Sequence, residues 1–155
     1  MDLSDLLKSD AVLPSLHPQS KKQALQEICG TAAHATGLPE REIFDTILQR
    51  ERLGSTGVGQ GVAIPHGKLH DLDRLVGVFA RLSRPVDFDS LDDQPVDLVF
   101  LLLAPESAGA DHLKALARIA RVLREPEVAQ RLRVAEDAAE LHAILVGPAA
   151  KPHAA

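Results

Sequence analysis

Apolar residues recur at helical spacing over residues 20–36, where Ala24, Leu25, Ile28, Ala32 and Ala35 share one face. Ser20 stands at its start as an N-cap, and Gly37 stops it. Pro39 opens a second helix, which reaches about residue 49 with Ile43, Phe44, Ile47 and Leu48 inward. Arg50, Glu51 and Arg52 close its last turn. A glycine-rich stretch over residues 54–61 then reads as a loop. The pattern changes to extended chain after it. Val62-Ala63-Ile64 is a short strand that ends at Pro65, residues 76–82 form another, and residues 98–103 a third. The third is apolar at every position, as expected of a central strand covered on both faces. A loop over residues 105–110 precedes a helix over residues 111–123. Pro126 begins a short helix, and residues 138–146 form the last one. The expected fold is α/β, a single-domain layer sandwich with a mixed β-sheet and helices on both faces. The domain is expected to span residues 1–147, with residues 148–155 as a disordered tail.

Composition removes several function classes. The chain of 155 residues has no Trp, no Tyr and four Phe, so its core must be aliphatic. Base-stacking platforms and sugar-stacking pockets need rings that it lacks. The net charge of −5 argues against a phosphate backbone, so no nucleic-acid partner is expected. Cys29 is the only cysteine and lies in a helical pattern, which reads as a small buried residue. The acidic start has no hydrophobic stretch and so no signal peptide. The longest apolar run, residues 98–104, is far below the roughly 20 residues needed to span a bilayer. A cytoplasmic protein, not a membrane protein, is expected.

Among the seven histidines, His17, His34, His70, His142 and His153 read as solvated or structural. His66 differs, because Ile64-Pro65-His66-Gly67 places it at the end of an apolar strand. Pro65 restricts the backbone before it, and Gly67 is expected to allow a tight turn after it. Nucleotide motifs fail here: a P-loop would need Gly at position 62, which is Val62, and a hydroxyl at position 69, which is Leu69. The glycines therefore serve either as a plain loop or as a backbone approach to an anion. His66 and His70 are four residues apart but without helix or an intervening Glu, so no metal is expected.

Glu51, six residues, Val58-Gly59, two residues, then Val62-Ala63-Ile64-Pro65-His66-Gly67 resembles the phosphorylation-site signature of type-2 IIA domains. These belong to the phosphoenolpyruvate-dependent phosphotransferase system, in its mannitol, fructose and nitrogen branches. Residues 50–57, 94–100 and 112–117 resemble further blocks of that family. The sequences around residues 65–69 and 92–97 look most like the nitrogen branch.

The resemblance implies a phosphotransferase component in which His66 Nε2 accepts the phosphoryl group. It also implies that Arg50 stabilises that group and that His112 is an auxiliary active-site histidine. Thr56, Gly57 and Gly59 would belong to the loop meeting phosphoryl and partner, with Val58 and Val62 on the docking surface. An HPr-like phosphocarrier would be the donor, and no cofactor is implied. The output would be regulation of target proteins, such as sensor kinases or potassium-transport proteins. The alternatives are transfer to a sugar-specific IIB component, or stoichiometric binding as an interaction module.

Overall fold

The computed structural model describes residues 2–147. The expectations for the 148–155 tail and for His153 lie outside the described residues. Strand β1 is Val12–Leu16, helix α1 is Lys21–Thr36, and helix α2 is Glu40–Arg52. Short strands β2 (Gly57–Gly59), β3 (Val62–Ala63) and β4 (His66–Leu69) follow, then the long strands β5 (Val76–Val86) and β6 (Val96–Pro105). Helices α3 (Ala110–Arg124), α4 (Pro126–Val134) and α5 (Ala138–Val146) complete the described chain.

The helix ends follow from local chemistry. The Ser20 hydroxyl accepts from the Gln23 N–H at 3.1 Å, and Gly37 takes a left-handed conformation at φ 76° to end α1. Asp137 caps α5 by accepting from the Glu140 N–H at 2.8 Å. Pro126 is tolerated in the first turn of α4.

The sheet is mixed, in the order β1-β5-β6-β3-β2, with β4 also paired to β6. β5 runs antiparallel to β6, whereas β3 and β4 both run parallel to it. Residues 98–103 of β6 are fully buried at both parities, so both faces of the sheet are covered. Helix α1 packs on β5, α2 on β4, α3 on β6 and α5 on β1. The expected fold class holds.

Several local expectations change. The glycine-rich stretch contains strand β2, antiparallel to β3, rather than being a loop throughout. The strand expected to end at Pro65 resumes as β4. Val62 pairs with Leu98, Ala63 with Val99, and His66 with Leu102, in one unbroken register. Pro65 has no N–H to donate, but its carbonyl accepts from the Leu102 N–H at 2.9 Å. Gly67 therefore makes no turn. It lies within β4, where a Cβ would come 2.8 Å from Thr46 Cγ2 on α2. Strand β5 is longer than expected, and β1 was not expected. Arg81 of β5 ties the sheet edge to α4, donating to the carbonyls of Pro14, Leu132 and Ala135 at 2.7–2.9 Å.

Candidate active site

Alternation along β4 sets the direction of His66. Gly67 and Leu69 are buried against the α2 side, so His66 and Lys68 project the other way. Lys68 is exposed and His66 is partly buried. The His66 Nδ1 lies 2.9 Å from the Ile64 carbonyl oxygen. A carbonyl can only accept, so Nδ1 carries the proton and Nε2 carries the lone pair. Arg50, in the last turn of α2, donates its Nε–H to that Nε2 at 3.3 Å. Its Nη1 also donates to the Gly54 carbonyl at 2.9 Å.

His112 enters from the first turn of α3. Its ring centroid is 5.6 Å from that of His66, with the planes 54° apart. It is only 8% exposed, and its Nε2 is buried without a hydrogen-bond partner. The structure thus brings Arg50, His66 and His112 together from three separate elements. Both histidines titrate below the ordinary value near 6.5. For His66, burial is the largest cause, opposed by the Ile64 carbonyl; the Arg50 cation lowers it further and Glu51 raises it. For His112, burial again leads, followed by His66 and Lys68. Two neutral imidazoles beside a guanidinium form a site suited to a nucleophile that needs no deprotonation and to an incoming anion.

The remaining expected loop residues have partners outside this cluster. Thr56 is buried and donates through both its N–H and its hydroxyl to the Glu51 carboxylate. Gly57 N–H donates to Ser55 Oγ at 3.0 Å, and a Cβ at Gly57 would collide with Ser90. Gly59 has φ 103°, with Asp92 against the position a Cβ would take. Val58 is exposed, but Val62 is 1% exposed and faces the core, so it does not belong to a docking surface. Leu53, Leu91 and Leu113 are exposed apolar residues that sequence patterning did not single out. Leu53 follows α2 directly, Leu91 adjoins the Ser90 that faces Gly57, and Leu113 follows His112. Lys21, which pairs with Glu51 across thirty residues of chain, was also missed, because no local pattern links the two.

Comparison with known proteins decides the family. Residues 5–147 match the family described as "Phosphoenolpyruvate-dependent sugar phosphotransferase system, EIIA 2". The chain belongs to this EIIA family. The EIIA domain is 59% identical to the nitrogen regulatory protein of Bradyrhizobium diazoefficiens, covering 97% of this chain and 98% of that one. It is 43% identical to the nitrogen regulatory protein of Escherichia coli K12, over 98% of this chain and 94% of that one. The crystal structure of the nitrogen regulatory protein IIA-Ntr of Neisseria meningitidis superposes with a TM-score of 0.88 at 35% identity. That match covers 92% of this chain and 98% of the other. The family resemblance and the nitrogen branch expected for this EIIA domain are both borne out. No helix among its described residues is long and apolar enough to cross a membrane.

Proposed function

We propose that this chain is a phosphohistidine carrier of the nitrogen-type phosphotransferase system. His66 Nε2 accepts a phosphoryl group from an HPr-like phosphoprotein in the cytoplasm, and the phosphorylation state of the chain regulates other proteins. The observation that carries this reading is the tautomer of His66: with Nδ1–H bonded to the Ile64 carbonyl, the nucleophilic lone pair lies on Nε2, beside Arg50.

The transfer needs no general base. The donor's nitrogen–phosphorus bond breaks as the bond from His66 Nε2 to phosphorus forms, and the donor imidazole leaves with its electron pair. The ring of His66 gains positive character, which the Ile64 carbonyl stabilises through Nδ1–H. Arg50 now donates into the lone pair that must attack, so it has to swing away from Nε2. Its natural destination is the phosphoryl oxygens, where a planar cation stabilises the charge of the transition state. His112 contributes the buried, unpartnered Nε2 as a further polar contact for the bound group.

Incubation with phosphoenolpyruvate, Enzyme I and an HPr-like carrier, followed by intact mass, tests the proposal. One acid-labile phosphoryl group is expected on the native chain and none on His66→Ala. A native chain that gains no mass would refute the carrier function, and a phosphorylated His66→Ala would refute the site. Slow onward transfer to a sugar-specific IIB protein is expected of a regulator.

A further inference from the structure

The family signature begins at Glu51, and the transfer chemistry does not use it. Its side chain is 3% exposed, an expensive position for a carboxylate unless its oxygens are satisfied. They are satisfied from two directions. Oε1 accepts from the Lys21 ammonium at 2.8 Å and from the Thr56 N–H at 3.2 Å, and Oε2 accepts from the Thr56 hydroxyl. Lys21 is itself held, 5.3 Å over the Phe88 ring and 3.4 Å from the Phe88 carbonyl. Ser55 donates to the same carbonyl, which ties the segment before β2 to the segment after β5.

The hydrogen bonds continue from Thr56 toward His66. The Thr56 carbonyl accepts from the Ile64 N–H at 3.0 Å, and the Ile64 carbonyl takes the His66 Nδ1–H at 2.9 Å. Glu51 is thus joined to the imidazole through two intervening residues. It also follows Arg50 directly, and the Gly54 N–H donates to the Glu51 carbonyl at 3.2 Å while the Gly54 carbonyl accepts from Arg50.

We propose that Glu51 is a positioning residue for His66, acting through Thr56 and Ile64 to hold the carbonyl that, together with the Arg50 Nε–H at Nε2, selects the Nδ1–H tautomer. This rests on the reading of His66 as the phosphoryl acceptor, because the selected tautomer is the one with its lone pair on the reacting nitrogen. Lys21 neutralises the buried carboxylate without touching the imidazole. The charged and titratable groups facing His66 are Arg50 and Glu51 from α2 and His112 from α3.

Nitrogen-15 NMR of the histidines in the unphosphorylated full chain reads the tautomer directly. Native His66 is expected as Nδ1–H. Glu51→Ala is expected to mix the two tautomers and to lower kcat for phosphorylation about 10- to 100-fold, as small misplacements of reacting groups do, with KM for the donor unchanged. Glu51→Asp keeps the charge beside Lys21 but draws the carboxylate away from Thr56, and gives an intermediate mixture in a chain that folds if Glu51→Ala does not. The paired change Glu51→Gln with Lys21→Met restores an acceptor for the Thr56 N–H without an unpaired buried ammonium. It is expected to recover the native tautomer and most of the rate. An unmixed Nδ1–H signal in the folded single variants would overturn the proposal. A native His66 held as Nδ1–H that takes no phosphoryl group would instead refute the acceptor reading, with the tautomers of the variants still deciding the role of Glu51.

Discussion

Three neighbours act on the protonation of His66 with different roles. Burial and the Arg50 cation disfavour its protonation, while Ile64 and Glu51 oppose them; the net shift is downward. The neutral form therefore persists below pH 6.5, where an unperturbed histidine would be half protonated. A pH–rate profile for phosphorylation at saturating donor is expected to reach half its plateau below about pH 6.5, the midpoint of an unperturbed histidine. Arg50→Ala should raise the His66 titration midpoint, since a cation is removed, and slow transfer by about 10²- to 10³-fold, the usual cost of losing one charge-stabilising donor. An unchanged midpoint by NMR would contradict the assigned cause. The candidacy of His66 was legible in the sequence, because a histidine between Pro65 and Gly67 after an apolar run is unusual chemistry in a rigid setting. Its tautomer was not, since the carbonyl that selects it belongs to a residue whose side chain says nothing about hydrogen bonding.

Among the elements, β4 shows how a tertiary partner overrides local punctuation. Pro65 and Gly67 are breakers in isolation, yet the chain between them continues in register along β6, because the Pro65 carbonyl and the residues from His66 to Leu69 still pair there. Gly67 serves close packing: a Cβ would meet Thr46 Cγ2 at 2.8 Å and Ile47 Cδ1 at 3.3 Å. Gly67→Ala is expected to push α2 outward and to cost about 1–3 kcal/mol, as overpacking does. Thermal or urea unfolding measures that loss, and a native midpoint would show that α2 yields freely. Strand β1 was illegible for a related reason. Pro14 sits inside it, and a proline in a short apolar run argues against a strand unless the strand lies at a sheet edge. The strand order places β1 at that edge, which local sequence cannot reveal.

At the scale of the whole molecule, burying two histidines links stability to pH. His66 and His112 both titrate lower in the folded chain than near 6.5, the ordinary value expected when unfolded. Below that value the unfolded chain binds protons that the folded chain refuses, so stability is full above about pH 6.5 and declines as pH falls through the folded values. Urea midpoints are expected to drop between pH 7.5 and 5.5, and His112→Gln should reduce that drop; an equal drop in the variant would exclude His112 as a contributor. Sequence by itself determined the helices, whose periodicity and caps are local, and a core that is mostly aliphatic in a chain without Trp or Tyr, although the structure also buries Phe79, Phe88 and Phe100 fully within it. It determined the signature from Glu51 to Gly67 as well, because residue types and spacing survive without coordinates. Only the tertiary structure decided that Val62 faces the core, that Lys21 meets Glu51, and by what geometry Arg50, His66 and His112, already grouped by the family resemblance, converge from α2, β4 and α3. Those contacts join segments far apart in the chain, and the geometry that brings them together is set by strand register and helix packing rather than by the residues adjacent to each.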